Sequence, residues 1–442
     1  MDHIVIIGFE SAGITAASAA RTTNRDVKIT AVERQPYAIY HPCAIPSAIE
    51  GTIKDMGDLI EPAPKMPNVE VRTSTEATGI NPDDQTVELK TDGGTEELEY
   101  DSLIISTGSN AIKPPITGRD LDGVHVLKTI EDGQAIINEI GKAENAVVVG
   151  GGCIGIEAAA ALNERGLNVS IVEMLPSLLP GLLDSDMVKT VGERLEDMGI
   201  KVYRGTRVEE ILGDDRVKSV SIGEEELPAE LVILAVGVEP EVELAKNAGI
   251  EIGETGGIKT DQHTCTSIDE IYAAGDCAES FSPITNQPIL SQFATTAIRM
   301  GKVAGTNAAG GSASYLGSLN TAVTWAYGLE IAATGVTTKA AEEAGFQPVS
   351  ARTRVSSKPH YYPGAKPITT KITVEPEQHK IIGGQIIGTE GASERANLLA
   401  LAIQKETTIE ELAKSDYCYS PPINDCIGPL VVTAETLIRK LR

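Results

Sequence analysis

The fold is decided by two similar stretches of sequence, Ala146-Val-Val-Val-Gly150-Gly-Gly-Cys-Ile-Gly155 and His3-Ile-Val-Ile-Ile-Gly8-Phe-Glu-Ser-Ala-Gly13. In both, a short apolar run is followed by a turn that contains glycine and then by a stretch rich in alanine. This order predicts a buried strand, a tight turn and a helix. The chain therefore carries an internal duplication.

Each duplicated stretch is followed by a second apolar run that ends in an acidic residue. Glu33 follows Gly8 by 25 residues, and Glu173 follows Gly150 by 23 residues. A glycine turn before a helix lets backbone amides approach a pyrophosphate, and an acid after the next strand accepts hydrogen bonds from ribose hydroxyls. Because both features occur twice in the same register, the sequence predicts two dinucleotide sites.

The order of the later segments predicts the domain organisation. Apolar strands ending in glycine close the two halves at residues 102–108 and 231–237. Residues 266–276 are predicted to return as a strand to the first half, and a helix is expected at residues 291–307. We expect an α/β fold with two Rossmann-like dinucleotide-binding domains plus a C-terminal α+β domain. The expected domains are residues 1–115 with 245–313 (a discontinuous domain), 116–244, and 314–442.

The composition is that of an acidic protein with a formal net charge of -26. This charge argues against nucleic acid or a membrane surface as a partner, because both attract basic patches. No segment resembles a signal peptide or a membrane span, which favours a cytoplasmic protein. The six cysteines are scattered, so no disulfide framework is expected. No metal is expected either, because no His, Cys and carboxylate group has ligand spacing.

The second glycine turn is the more regular of the two. Gly150, Gly152 and Gly155 match the full pattern. No Arg or Lys closely follows Glu173, so NADH is favoured over NADPH. In the first turn Glu10 replaces the middle glycine. An inward carboxylate would repel a pyrophosphate, so we expect the Glu10 side chain to turn to solvent or to meet a cation.

Over essentially its whole length the chain resembles the flavin-dependent pyridine nucleotide–disulfide oxidoreductases. The resemblance rests on both glycine turns with their acids, on Ser106-Thr-Gly108 and on Tyr272-Ala-Ala-Gly275-Asp276. It points to the single-cysteine branch of coenzyme A disulfide reductases, NADH oxidases and NADH peroxidases. The resemblance implies that the first unit binds FAD, the second binds NADH and the third is a dimerisation domain.

The same resemblance assigns the cofactor-binding residues. The expected contacts to FAD or NADH are made by Gly8, Ser11, Ala12, Gly13, Glu33, Arg34, Ala77, Thr107, Gly108, Gly150, Gly152, Ile154, Gly155, Glu173, Gly237, Gly275 and Asp276. Asp276 is expected to bind the ribityl hydroxyls of the flavin.

The expected redox centre is Cys43, in the segment Tyr40-His-Pro-Cys-Ala-Ile-Pro-Ser-Ala48. The two-cysteine branch of the family carries CxxxxC here, whereas this chain has Ala48 at the second position. A cysteine without a close thiol neighbour has to cycle as a mixed disulfide, a persulfide or a sulfenic acid. We expect a helix N-terminus beside the flavin to stabilise its thiolate. The alternative is a buried, inert thiol.

Three tyrosines are candidate catalytic residues by resemblance. In coenzyme A disulfide reductases, tyrosines of the partner subunit reach the cysteine. Tyr361, Tyr362 and Tyr419 match those positions in this chain. The resemblance implies a homodimer in which these hydroxyls protonate a leaving thiolate. The alternative role is packing at the interface.

The other cysteines are expected to be packing residues. Cys418 and Cys426 lie on either side of the second tyrosine segment, and we expect small buried side chains there. The alternative is that one of them provides a second thiol near the redox centre. Cys153, Cys265 and Cys277 are expected to pack in the interior.

The predicted electron acceptor is a disulfide, coenzyme A disulfide, polysulfide or persulfide. The basic residues that hold coenzyme A phosphates in the family are reduced here to Arg21 and Arg25, which weakens the case for coenzyme A. Ser11 stands where the oxidases and peroxidases carry histidine, which favours sulfur over oxygen as acceptor. Two alternatives remain open. One is an NADH oxidase that reduces oxygen or peroxide through a Cys43 sulfenate, and the other is a reductase of a small electron-carrier protein.

Overall fold

The first unit is built on a parallel sheet. The computed structural model of the protein describes residues 2–442. Its first elements are β1 (His3–Ile7), α1 (Ser11–Thr23), β2 (Lys28–Val32), β3 (Ile39–Tyr40), α2 (Ile45–Glu50), β4 (Ile60–Glu61), β5 (Val69–Arg72), β6 (Glu76–Asn81), β7 (Thr86–Thr91), β8 (Gly94–Glu99), β9 (Ser102–Ile105) and β10 (Ser109–Ala111). β1 pairs in parallel with β2 and β9, and β2 with β5. β6, β7 and β8 form a separate antiparallel sheet.

The second unit repeats this plan. Its elements are β11 (Val124–Val126), α3 (Ile130–Ile140), β12 (Asn145–Val149), α4 (Cys153–Glu164), β13 (Asn168–Glu173), α5 (Ser185–Asp197), β14 (Lys201–Arg204), β15 (Glu210–Gly213), β16 (Val217–Ser221), β17 (Glu226–Pro228), β18 (Leu231–Leu234), β19 (Val238–Pro240) and α6 (Glu243–Asn247). The parallel sheet has the order β11-β18-β12-β13-β14, and β15, β16 and β17 form a three-stranded antiparallel sheet. The duplication predicted from the sequence is therefore confirmed in the fold.

The chain then returns to the first unit. The next elements are β20 (Ile271–Ala273), β21 (Ser280–Phe281), β22 (Pro288–Ile289) and α7 (Ala294–Ala308). β20 pairs in parallel with β9, as the sequence predicts, and completes the order β20-β9-β1-β2-β5. α7 packs against α1 so closely that a Cβ atom at Gly301 would lie 2.3 Å from the carbonyl oxygen of Ala12. Small residues therefore let these two helices meet backbone to backbone.

The C-terminal unit is an antiparallel sheet packed against helices. Its elements are β23 (Ala322–Ala326), β24 (Leu329–Gly335), α8 (Thr338–Glu343), β25 (Val349–Ser356), β26 (Pro367–Val374), β27 (Ile381–Gly388), α9 (Ala392–Gln404), α10 (Ile409–Lys414) and α11 (Pro429–Leu441). The sheet has the order β23-β24-β27-β26-β25. Its core contains Ile372, Ile386, Leu399 and Leu437, each with no exposed surface. The α/β class with an α+β C-terminal domain is confirmed.

A buried charge cluster joins the second unit to the C-terminal unit. The Lys371 ammonium on β26 lies 2.9 Å from the Asp184 carboxylate and 2.7 Å from that of Asp186. The side chains of Lys371 and Asp184 are only 8% and 9% exposed. Burial alone would raise the pKa of Asp184, but hydrogen bonds from Lys371 and Thr338 lower it. The cluster therefore links β26 of the C-terminal unit to the start of α5 in the second unit.

Within the described part of the chain, no helix is both long and apolar enough to cross a lipid bilayer.

Candidate active site

The first glycine turn follows β1 and is fixed by backbone packing. Gly8 has φ +88°, and a Cβ atom there would lie 2.2 Å from the carbonyl oxygen of Ser106. A Cβ atom at Gly13 would lie 2.1 Å from the carbonyl oxygen of Gly8. The Ser106 hydroxyl lies 2.9 Å from the carbonyl oxygens of both Ile7 and Gly8. These contacts leave no room for a side chain at either glycine.

The second glycine turn has the same geometry. Gly150 has φ +110°, and a Cβ atom there would lie 2.3 Å from the carbonyl oxygen of Ala235. A Cβ atom at Gly155 would lie 2.0 Å from the carbonyl oxygen of Gly150. A Cβ atom at Gly152 would contact nothing within 4 Å. The open space beside the middle glycine is therefore available to a ligand.

The two acids predicted to bind ribose also fix the turns. Glu33 accepts hydrogen bonds from the backbone amides of Phe9 at 3.0 Å and Gln35 at 2.9 Å. Glu173 accepts corresponding bonds from Gly151 at 2.6 Å and Leu175 at 2.7 Å. A carboxylate has about four acceptor positions, so each acid retains capacity for ribose hydroxyls.

One cavity of about 1300 Å³ connects both turns with the candidate redox cysteine. It exceeds the roughly 300–1,000 Å³ of a typical single-ligand pocket, as expected for a site that holds two dinucleotides. The predicted cofactor residues that line it are Gly8, Ser11, Ala12, Glu33, Arg34, Ala77, Thr107, Gly108, Gly150, Gly152, Ile154, Glu173, Gly237, Gly275 and Asp276. Gly13 and Gly155 do not line it. Each packs against the carbonyl oxygen of the first glycine in its turn, which is Gly8 for Gly13 and Gly150 for Gly155.

Cys43 lies in a short 3-10 helix, Pro42–Ala44, immediately before α2. The residue is exposed and opens into the large cavity. Although one side is open, burial by surrounding atoms raises the pKa of its thiol, and the carboxylate of Glu157 adds to the effect. Lys128 opposes it. In the chain by itself, burial is therefore the main effect that disfavours the thiolate, and the expectation that a helix N-terminus beside the flavin stabilises it stays a prediction.

Cys43 also lines a second, smaller pocket. It has a volume of about 120 Å³. Cys43 and Glu50 line it together with Glu157 of α4, and Trp325 of β23 completes it. Cys43 therefore lines both the dinucleotide cavity and a small pocket that the C-terminal unit helps to form.

Two partly buried carboxylates that line the cavity with the cysteine were not predicted in these positions. Glu10 accepts a 2.9 Å hydrogen bond from the backbone amide of Tyr40, and burial raises its pKa to about 7. The expectation that Glu10 turns to solvent or meets a cation is therefore wrong. Glu157 accepts a 2.6 Å hydrogen bond from the Thr324 hydroxyl, and burial raises its pKa. The signal for Glu157 was a charge in the middle of the apolar run that follows the second turn.

A polar group around Asp276 was only partly predicted. The Asp276 carboxylate accepts a 2.8 Å hydrogen bond from the Ser109 hydroxyl, and the Lys128 ammonium lies 3.7 Å from it. Lys128 also donates to Ser109 at 2.8 Å. Lys128 was missed because nothing in its local sequence distinguishes it from a surface lysine. Its position at the cavity supplies a positive charge beside the residue expected to bind the flavin side chain.

The candidate tyrosines lie away from the cysteine of their own chain. The hydroxyls of Tyr361 and Tyr419 are 3.2 Å apart, and these residues are 63% and 49% exposed. Tyr362 is close in sequence, and its backbone amide donates to Pro359. None of the three tyrosines lines the large cavity or the small pocket. The hydrogen bond from Tyr361 is the main cause that raises the pKa of Tyr419 to about 12.

The remaining cysteines fall into two groups. Cys277 is fully buried, in keeping with a packing role, whereas Cys153 and Cys265 are partly buried and Cys153 also lines the large cavity. Cys418 and Cys426 are exposed, so the expectation that they are buried side chains is wrong. Both lie in the loop between α10 and α11, whose large apolar residues Tyr419, Ile423 and Ile427 are themselves exposed.

The fold and the cavity together define an oxidoreductase with sites for two dinucleotides and a cysteine between them. Residues 2–301 match the family described as pyridine nucleotide-disulphide oxidoreductase, and residues 321–430 match its dimerisation domain. The chain belongs to the FAD-dependent pyridine nucleotide-disulphide oxidoreductase family. The glycine turns and the connected cavity fit FAD and NADH, the cofactors of this enzyme class.

Individual relatives cover nearly the whole chain. A protein of Methanocaldococcus jannaschii named NADH oxidase is 40% identical, with 99% of each chain covered. A Pyrococcus horikoshii protein named NAD(P)H coenzyme A polysulfide/persulfide reductase is 33% identical, with 98% of each covered. The structure of an NAD-dependent persulfide reductase from A. fulgidus has a TM-score of 0.96 and 36% identity. The match covers 99% of this chain and 83% of that one.

Proposed function

We propose that this enzyme uses NADH and FAD to reduce sulfur–sulfur bonds through Cys43. One observation carries the proposal. Cys43 lines both the cavity shared by the two glycine turns and a separate small pocket. A sulfur that lines both can exchange electrons with a cofactor in the cavity and react with an acceptor that enters the small pocket. The names of the relatives, which include persulfide and polysulfide reductases, support the same chemistry.

The cofactors would be held by the two halves of the duplication. The first turn with Glu33 and Asp276 would hold FAD, and the second turn with Glu173 would hold NADH. Bound FAD supplies two-electron transfer from NADH to sulfur. Lys128, which donates to Ser109 beside Asp276, places positive charge at the flavin end of the cavity. The proposed domain limits remain those given by the sequence: residues 1–115 with 245–313, 116–244, and 314–442.

The sulfur step follows from thiol–disulfide exchange. The Cys43 thiolate attacks one sulfur of the acceptor, its sulfur–sulfur bond breaks, and one thiolate leaves. Two electrons that originate from NADH then reduce the mixed disulfide, which restores Cys43 and releases the second thiol. The balance is one NADH, one proton and one disulfide giving NAD⁺ and two thiols. With a persulfide or polysulfide, sulfide or a shortened polysulfide leaves in place of one thiol.

The active enzyme would be a homodimer in which tyrosines cross the interface. Tyr361 and Tyr419 form an exposed hydrogen-bonded pair on the dimerisation domain and lie outside the cysteine pockets of their own chain. We infer that this pair, with the adjacent Tyr362, reaches Cys43 of the partner subunit and protonates the leaving thiolate.

The acceptor is proposed to be a small sulfur compound in a reducing cytoplasm. Three carboxylates, Glu50, Glu157 and Glu164, line the small pocket beside Cys43. They disfavour a polyanion such as coenzyme A at this opening and favour a neutral disulfide. Coenzyme A disulfide remains a candidate acceptor because of the coenzyme A-dependent relatives.

A second candidate function is reduction of oxygen through a Cys43 sulfenate. The observation that favours it is the 40% identical relative named NADH oxidase. The absence of a histidine at Ser11, where the resemblance places one in oxidases, favours sulfur instead. Reduction of a small electron-carrier protein is the third hypothesis, and it predicts that Cys43 is dispensable.

The test is an acceptor panel with matched variants. NADH oxidation is measured anaerobically with 2-hydroxyethyl disulfide, coenzyme A disulfide and polysulfide, and separately with oxygen. We expect Cys43→Ser to lose at least about 100-fold in turnover with the sulfur acceptors while it retains flavin, because the proposed cycle passes through the thiolate. Cys265→Ser, a partly buried thiol remote from the cavity lining, serves as the control. Unchanged sulfur reduction by Cys43→Ser contradicts the proposal, and a higher rate with oxygen than with every sulfur acceptor favours the oxidase.

A further inference from the structure

We propose that Glu10 binds FAD as a carboxylic acid, which donates a hydrogen bond to the pyrophosphate at the first glycine turn, so that the flavin is bound together with a proton. The inference rests on the proposed function, which places FAD at that turn. It assigns a role to the middle position of the turn, where the dinucleotide-binding pattern has glycine and this chain has a glutamate. Binding that takes up a proton makes the retention of FAD depend on pH.

The side chain of Glu10 is turned towards the site. Its Oε1 accepts a 2.9 Å hydrogen bond from the backbone amide of Tyr40, in the segment that leads to Cys43. Glu10 lines the large cavity together with Gly8 and Ser11 of the same turn, and α1 begins at the next residue. The N-terminus of a helix after a glycine turn is where backbone amides bind a pyrophosphate. The carboxyl group is therefore held between that helix end and the cysteine segment.

One oxygen of Glu10 is left for a ligand. Within residues 2–442, Oε2 has no hydrogen-bond partner, and the side chain does not cap α1. Oε2 is also not among the polar atoms of the described chain that are both unpaired and fully enclosed by protein. Because Glu10 lines the large cavity, this oxygen is open to it. A carboxylate and a pyrophosphate can both only accept hydrogen bonds, so a direct bond between them requires the protonated form of Glu10.

The electrostatic surroundings of Glu10 favour this protonated form. Burial raises its pKa to about 7, the hydrogen bond from Tyr40 opposes this, the Glu33 carboxylate adds to it, and Lys128 opposes it. Lys128 does not neutralise Glu10 by a direct ion pair, since its ammonium lies 3.7 Å from the Asp276 carboxylate and donates to Ser109. A bound pyrophosphate adds negative charge and raises the pKa of Glu10 further.

The groups near Glu10 were considered as other sources of pH dependence. The charged and titratable side chains that act on Glu10 or on the adjacent tyrosine segment are Glu33, Arg34, Tyr37, Tyr40, Lys128 and Glu131. Burial raises the pKa of Tyr37 and Tyr40, so both phenols stay neutral near pH 7. Cys43 lines the same cavity, and burial raises the pKa of its thiol. The thiol therefore needs its own control variant.

The test measures how tightly the purified holoenzyme retains FAD. The protein is diluted until part of the flavin is released, at constant ionic strength, and free FAD is quantified by its fluorescence. We expect the affinity of the wild type for FAD to fall at least about tenfold between about pH 6 and about pH 9, because proton-coupled binding weakens above the pKa of the free site. An affinity that is unchanged or rises with pH overturns the inference.

Variants of Glu10 assign the proton. Glu10→Gln keeps an acceptor for the Tyr40 amide and always has an N–H donor for the pyrophosphate. We expect its FAD affinity to be independent of pH and close to that of the wild type at low pH. Glu10→Ala lacks both groups and is expected to bind FAD more weakly at every pH. Glu97→Gln, which removes an exposed charge on β8, is expected to keep the pH dependence of the wild type. The same pH dependence in Glu10→Gln overturns the inference.

Two further measurements separate this inference from the proposed function. Cys43→Ser is expected to retain FAD with the pH dependence of the wild type, and loss of that dependence would assign the proton to the thiol and overturn the inference. If the inference fails but Cys43→Ser still loses sulfur reduction, the proposed sulfur chemistry stands. If Glu10→Gln changes the affinity for NADH and leaves that for FAD unchanged at every pH, the placement of FAD at the first turn fails together with the inference.

Discussion

The two dinucleotide units of this protein have the same backbone but different middle positions in their glycine turns. Gly8 and Gly13 in the first unit, and Gly150 and Gly155 in the second, are each packed against a carbonyl oxygen. The middle position is Gly152 in one unit and a glutamate in the other. The comparison shows that the outer glycines are required by the fold itself, whereas the middle position is free to take on a local role.

In the first unit, the residue at the middle position, Glu10, connects the glycine turn to the segment that carries Cys43. Glu10 accepts the backbone amide of Tyr40, three residues before Cys43. The second unit has no such loop and leaves its middle position open. The duplicated scaffold is therefore specialised at one residue, which links the expected flavin turn to the cysteine segment.

The largest expected effect comes from the outer glycines. Gly13→Ala places a methyl group 2.1 Å from a backbone oxygen, which costs about 1–3 kcal/mol or more. We expect loss of bound flavin, measured by absorbance at purification, and a lower unfolding temperature. Gly152→Ala, which meets no atom within 4 Å, is the matched control for tolerance of a methyl group. Normal flavin content in Gly13→Ala would show that the outer glycines are not required by packing.

The next effect concerns how the second unit is held to the C-terminal unit. Lys371→Met leaves Asp184 buried without its ion-pair partner, which costs about 3–5 kcal/mol. The double variant Lys371→Met with Asp184→Asn is expected to recover part of this loss in chemical unfolding. Since hydrogen bonds lower the pKa of Asp184, the contribution of this pair is present at neutral pH and is lost as the pH falls below about 4. Equal stability of Lys371→Met and wild type would contradict this account.

A smaller effect is expected at Glu10. Its pKa is raised to about 7, so the protonated form is favoured in the folded protein and stability falls as the pH rises from about 4.5 to 7. Glu10→Gln keeps an acceptor for the Tyr40 amide but has no charge. It is expected to be more stable than wild type at pH 8, by on the order of 1 kcal/mol, and equal to it at pH 4. Glu97→Gln, on the exposed strand β8, controls for net charge, and a pH-independent difference at Glu10 would refute the assignment.

The smallest effect is on the reactivity of Cys43. Burial and Glu157 both raise the pKa of its thiol, so Glu157→Gln is expected to lower it. Iodoacetamide is then expected to alkylate Cys43 on the order of threefold faster at pH 8. Gln still accepts the Thr324 hydroxyl bond, so the structure is retained. Glu50→Gln, in the same small pocket, is the matched control. Identical alkylation rates in all three proteins would remove Glu157 from the electrostatics of the cysteine.

The duplicated fold was predictable because its signals are local. Apolar strands, glycine turns and the acids after the next strand recur at fixed spacing, and the last closing strand returns to the first sheet as expected. The hydrogen bond that the Glu10 side chain accepts was not predictable, because the donor is a backbone amide thirty residues away. The pKa of Cys43 depends on Glu157 in the other unit, which no local pattern reports.

In the C-terminal unit, too, some features follow from the local sequence and others depend on the folded structure. The apolar residues of the sequence predict a helix over residues 392–404, and α9 has these limits, Ala392–Gln404. They predict the last helix from residue 434, but α11 begins at Pro429, because proline is well suited to a first helical turn. The exposure of Cys418 and Cys426 was missed, because cysteine is usually buried and only the surrounding turn reveals otherwise.

The most direct test of the central claim is an anaerobic titration with NADH. The oxidised wild-type enzyme is predicted to take up four electrons per FAD, two in the flavin and two in the sulfur of Cys43. Cys43→Ser is predicted to take up two. If both proteins, verified as fully oxidised at the start, consume the same amount of NADH, then the sulfur of Cys43 does not carry electrons in this enzyme.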